Sequence, residues 1–224
     1  MKKHFLKIML LCTLGIFFSN CEDGENGLDG IDGVNGTDGT DGENGVGFDE
    51  LSKFGAITLS LEGTRPDGVA FTKTDIFKFI GLEDVDFLNT VFIDTDNSLL
   101  EFDVVRFLST PDNEFQGSDL EVFVEVTNPG EQNQDILIFT DIIDYAIIGD
   151  DLSFFEFSDS FETDDAGVSN VSITNFNFNN ETNAFTISFS FDVDAASNST
   201  GNDLSVSVEI DVIVFEDIED IVPN

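Results

Sequence analysis

Histidine and cysteine are almost missing from this 224-residue chain: His4 is the one histidine, and Cys12 and Cys21 are the two cysteines. All three fall within the first 21 residues. Lys2, Lys3 and Lys7 make that start basic, and Ile8–Phe18 is a continuous apolar run closed by Ser19, Asn20 and Cys21, which is the pattern of a secretion signal. The apolar run has eleven residues, too few for a hydrocarbon core that takes roughly 20. No later run is long and apolar enough to span either. Removal of residues 1–20 leaves no imidazole and only the Cys21 thiol, so an internal disulfide is impossible although an envelope location permits one. The same loss excludes Ser-His-Asp and Cys-His catalysis and the His- or Cys-ligated zinc, copper and haem sites.

Basic residues are scarce as well, eight against 46 acids. Without the three lysines of residues 1–20 the net charge moves from −38 to −41. A chain so anionic repels nucleic acid and anionic lipid headgroups, and salt screens its self-repulsion within a few ångströms. Tryptophan is absent and Tyr145 is the one tyrosine, whereas phenylalanine occurs 25 times. Glycan-binding modules stack sugar rings on exposed Trp and Tyr, so this composition gives glycan recognition no support. Phenylalanine, an apolar body without a polar handle, belongs in a core.

The cysteine placed directly after the apolar run, in Ser19-Asn20-Cys21, resembles the lipobox of bacterial lipoproteins. That resemblance implies that the Cys21 thiol is acylated and becomes the new amino terminus; the alternative is ordinary signal-peptidase cleavage nearby and a free thiol. Glycines at 24, 27, 30, 33, 36, 39, 42 and 45 then keep an unbroken Gly-X-Y register, which resembles collagen, whose crowded axis admits only glycine. Collagen-like runs behind an acylated cysteine are similar to those of Bacteroidota lipoproteins, and Glu22 and Asp23 look like the acidic surface-export signals of that group. The resemblance implies a bacterial outer-membrane lipoprotein, exposed at the cell surface and held to the membrane through Cys21.

The run has no proline to favour the extended helix and no lysine to pair with its acids. A flexible solvated tether is the first expectation; a triple helix, which makes the protein a trimer, and a calcium-organised repeat are the others. As a coil, roughly 25 residues reach on the order of 28 Å, and fully extended about 80 Å. The expected organisation is a signal segment over residues 1–20, a tether over 21–47 and one domain over 48–224.

The domain is long enough to bury about 70% of its unfolded surface, and its residue choice is β-type. In Ala56–Gly63 the residues Ile57, Leu59 and Leu61 share one face, and Thr64–Gly68 (TRPDG) has turn chemistry. Further strands are expected over Val69–Ile80, Leu99–Leu108, Asp119–Thr127 and Asp135–Thr140, with breaks at Thr110–Asn113 and Asn128–Gln134. Val171–Phe178, Ala184–Asp194 and Leu204–Phe215 complete the set. In the last two, Phe185, Ile187, Phe189, Phe191 and Val193, and the even-numbered residues from Leu204 to Val214, point one way. Such one-sided antiparallel strands need a second layer. The expected fold is all-β, an antiparallel sandwich of eight or nine strands, with a closed barrel as second choice and a turn or two of helix over Leu82–Asn89.

Motifs for nucleophilic hydrolysis and for nucleotide binding are absent. A carboxylate pair suffices for glycoside hydrolysis, but 46 acids make close pairs unavoidable and therefore uninformative. Asp94, Asp96 and Ser98 begin like an EF-hand, yet Leu99 stands at the turn glycine and Val105 at the bidentate glutamate. The acids of Glu162–Gly167 and Asp192–Asp203 are the other calcium candidates, against the reading that Asp and Asn are simply turn formers. Arg106 shares a face with Leu100, Phe102, Val104 and Leu108; it is expected in an ion pair or snorkelling from an edge, or else in a carboxylate-binding pocket. The functional expectation is a non-catalytic envelope protein that binds, adheres or builds structure, without nucleic acid. It predicts an exposed apolar patch or an open sheet edge. A calcium-dependent module is the second reading and a carboxylate hydrolase the third.

Overall fold

The computed structural model describes residues 51–81, 89–110 and 117–216. The signal segment, Cys21, the Gly-X-Y run, the helix predicted over Leu82–Asn89 apart from Asn89, and most of the Thr110–Asn113 break lie outside them. Ten strands are described: β1 (Gly55–Thr64), β2 (Ala70–Phe77), β3 (Asn89–Asp94), β4 (Leu99–Phe107), β5 (Asp119–Thr127), β6 (Asp135–Ile148), β7 (Phe154–Glu162), β8 (Val168–Asn179), β9 (Ala184–Val193) and β10 (Leu204–Ile213). They form two five-stranded antiparallel sheets, ordered β2-β1-β10-β9-β8 and β3-β4-β5-β6-β7. The sheets do not close into a barrel, and the expectation of eight or nine strands is corrected to ten.

Period-two patterning sets the inner face. Ile57, Leu59 and Leu61 of β1 pair across the ladder with Ile210, Val208 and Val206 of β10, and those with Ile187, Phe189 and Phe191 of β9. All are buried. From the facing sheet come Phe102 and Val104 of β4, Leu120, Val122, Val124 and Val126 of β5, and Ile138 and Ile142 of β6. Phe102 stacks on Phe185 with centroids 4.0 Å apart and rings 4° from parallel, while Phe178 meets Phe102 edge-on at 5.1 Å. Burying a side chain of this size stabilises the fold by about 1.5–3 kcal/mol, so the two layers hold each other without a disulfide.

Strict alternation fails in β6 and β8, and in each the cause is a bulge. The β8 ladder with β9 shifts between Ser169 and Ser172 and again between Thr174 and Asn177. Asn170 (φ 53°) and Asn175 (φ 58°) lie within those shifts, asparagine being tolerant of the left-handed region. The inward set therefore changes parity from Ile173 to Phe176 and Phe178, which pack on the core. In β6 the shift lies between Ile142 and Tyr145, with Asp144 at φ 49°.

Two short bridges tie the sheets at one end. Beyond β10, Phe215 pairs in parallel with Thr90 of β3, and beyond β2, Phe79 pairs with Phe107 of β4.

Candidate functional site

The two ends of the sandwich differ in chemistry. At the end where β1 begins, Phe54 packs edge-on against Phe215 at 4.9 Å, so the entry to β1 and the exit from β10 meet. Gly55 (φ +86°) is required there, because a Cβ collides with the Asp211 carbonyl. Arg106 closes this end. Its guanidinium is fully buried and donates to the carbonyl oxygens of Phe54 (2.8 Å), Gly55 (3.3 Å) and Val105 (2.8 Å) and to Asn89 Oδ1. Both expectations for Arg106 are thereby corrected. Among the described residues its partners are carbonyl and amide oxygens rather than carboxylates, and β4 is an interior strand that gives no room to snorkel. A buried donor fork needs acceptors, and peptide carbonyls at a chain entry supply them as well as acids do. Without a carboxylate beside it, burial pushes the Arg106 pKa down to about 10, still charged at neutral pH. Four of its five N–H donors are taken by these protein oxygens.

The opposite end, roughly 30 Å away along the ten residues of β1, holds the β1–β2 turn and the β6–β7 hairpin. Arg65, which sequence reading left inside a simple turn, is buried here. Its Nε and Nη2 donate to Asp67 at 3.0 and 2.6 Å, and its Nη1 and Nη2 donate to Asp151 at 2.9 and 2.7 Å. Gly149 makes the close approach possible, since a Cβ there collides with Arg65 Nη1. The doubly hydrogen-bonded arginine holds the Asp151 carboxyl well below the usual carboxylate range, chiefly through the side-chain bond itself. Asp67 is lowered for the same reason. The partner Asp151 lies 86 residues from Arg65, so no local pattern announces the pair.

Beside this clasp is a pocket of about 320 Å³ lined by Arg65, Val69–Lys73 and Ile147–Asp151, within the size range of small-molecule and peptide sites. Its surroundings are apolar and uncovered: Val69 is 48% exposed, Ile148 64%, Phe154 72% and Leu152, at the hairpin tip, 89%. Ile148 and Phe154 are direct cross-strand partners, and Val69 lines the pocket together with Ile148. Deeper in, Tyr145 donates to Asp75 at 2.6 Å, and Lys73 pairs with Asp75 at 3.0 Å. Burial, and then that carboxylate, hold the Tyr145 hydroxyl above its ordinary pKa.

Acids crowd the outer face of the second sheet. Glu121 stands opposite Asp141, and Glu101 opposite Glu125. Burial, with Glu121, Asp141 and Asp144 nearby, raises Asp119 to about 7. Burial and Glu121 raise Asp103 to about 6, and among the described residues Asp103 Oδ1 has no hydrogen-bond partner. Among the described residues no group of three or more metal-ligating side chains is arranged to hold an ion. Three of the calcium candidates accept backbone amides. Asp94 accepts from the Asp96 and Asn97 amides, Asp165 from the Glu162 amide and Asp203 from the Ala195 amide. No helix among the described residues is long and apolar enough to cross a membrane. Neither a family model, a curated protein nor a solved structure matches the chain.

Proposed function

We propose that this chain is a lipid-anchored protein of the bacterial cell envelope, held through Cys21 on the Gly-X-Y tether, whose β-sandwich is non-catalytic and works by binding. The observation that carries the reading is the polarity of the domain. The entry to β1 and the exit from β10 meet at the Arg106 end, and the exposed apolar patch and pocket stand at the other, roughly 30 Å away. An uncovered apolar patch rimmed by charge is the usual form of a contact surface, and the Arg65 clasp keeps the two turns that build it rigid.

Protease treatment of intact cells tests the proposal. The sandwich is expected to be shaved from intact cells, and radiolabelled fatty acid fed to the cells is expected to label the wild type but not Cys21→Ala. Protection of the wild type in intact cells, or fatty-acid label on Cys21→Ala equal to that on the wild type, overturns it.

A further inference from the structure

Four strands lie at sheet edges, and three of them are unfit to pair with another chain. β3 is bridged by Phe215 through backbone bonds of 2.9 and 2.7 Å. β8 is broken by its two bulges. β7 carries Glu156, Asp159 and Glu162, so two copies of it set like charge on like. β2 is different. It has eight residues without a bulge, and among the described residues nothing pairs with its outer edge.

The β1–β2 turn shows which groups that edge offers. Arg65 N donates to Val69 O at 2.8 Å and Gly68 N to Arg65 O at 2.9 Å, so Arg65 and Val69 close the hairpin as a hydrogen-bonded pair. Alternation along an antiparallel ladder then turns the amides and carbonyls of Thr72, Thr74 and Ile76 to the free side. Their side chains lie on the exposed face. Phe71, Lys73, Asp75 and Phe77 point toward the facing sheet, and Lys73 is the one cation on any edge strand.

We propose that β2 is a self-complementary docking edge, which pairs antiparallel with β2 of a second copy about a two-fold axis at Thr74. In that register Thr74 meets Thr74 and Thr72 meets Ile76 as hydrogen-bonded pairs. Lys73 then faces Asp75 of the second copy, Asp75 faces its Lys73, and Phe71 faces its Phe77. Both ion pairs fall at positions where antiparallel side chains come closest. A slip by two residues sets Lys73 against Lys73 or Asp75 against Asp75, and a slip by one turns the apolar set to the wrong face. Charge thus selects one register. Inward charges on an edge strand ordinarily discourage pairing; here Lys73 already pairs with Asp75 within one copy and Asp75 accepts from Tyr145, and the register adds an opposite charge from the second copy to each. The same register brings Lys78 of the second copy alongside Ala70, which lines the pocket with Asp150 and Asp151. Two chains of net charge −38 repel at long range, so the pairing belongs to saline conditions, where that repulsion is screened and half-buried ion pairs are screened less.

Sedimentation of the full chain in density-matched detergent at high salt is the test, with circular dichroism to confirm that each variant is folded. The wild type is expected as a dimer. Lys73→Glu converts two attractive pairs into two repulsive ones and is expected to weaken association roughly tenfold or more. The charge swap Lys73→Asp with Asp75→Lys is expected to restore it. Thr74→Pro, which removes a free-edge amide that the fold does not use, is expected to abolish it. A monomeric wild type overturns the proposal, as does a dimer indifferent to Lys73→Glu and Thr74→Pro. A trimer indifferent to both also overturns it and assigns assembly to the Gly-X-Y run.

Discussion

Asp119→Asn probes the acidic outer face of the second sheet. In the folded domain burial, Glu121, Asp141 and Asp144 raise the Asp119 carboxyl from 3.8 to about 7. A carboxyl whose folded-state pKa is raised favours folding below its unfolded value near 4, and that contribution is lost as pH rises through 7. The shift is about three units, and at about 1.4 kcal/mol per unit the ceiling is about 4 kcal/mol. Solvent screening of a half-buried group brings this to about 2 kcal/mol. At pH 8 the asparagine variant, which cannot ionise, should therefore gain about 2 kcal/mol. For a domain of this size that is about 4–8 °C in melting temperature. At pH 4 the gain should all but vanish, because Asp119 is then protonated in the fold. Thermal melts of both proteins across this range, followed by circular dichroism, check it. An equal difference at every pH, or no gain at pH 8, refutes the electrostatic account of this face.

Arg106→Met should lower stability by about 3 kcal/mol, since it orphans the Phe54 and Gly55 carbonyls and Asn89 while keeping the volume filled; denaturant titration with an unchanged slope checks it. Thr140 is buried, and among the described residues its hydroxyl has no partner, so the near-isosteric Thr140→Val should stabilise by about 1 kcal/mol in the same assay. A chelator should leave the melting temperature unchanged, because Asp94, Asp165 and Asp203 already accept backbone amides; a fall of several degrees restores the calcium reading.

Much of the fold is legible in the sequence because β1, β5, β9 and β10 alternate without interruption and each buries one whole face. β3 is hidden by its shortness and by three consecutive apolar residues, Val91, Phe92 and Ile93. β7 begins with two adjacent phenylalanines, of which Phe154 faces water, so its period reads poorly. The bulges at Asn170 and Asn175 shift the inward set in a way that alternation alone does not foresee. Arg106 stands out in sequence as a cation in an apolar stripe, but its acceptors are backbone carbonyls of residues 54, 55 and 105 and the side chain of Asn89. Backbone carbonyls carry no sequence signature. Arg65 is the converse: an ordinary turn residue locally, it becomes the centre of the pocket end only when the β6–β7 hairpin arrives.

Mass spectrometry of the mature amino terminus tests the central claim most directly. An acylated Cys21 as first residue is the predicted result. A peptide spanning residues 17–25, recovered unmodified from the mature protein, contradicts it and removes the anchor and the tether together.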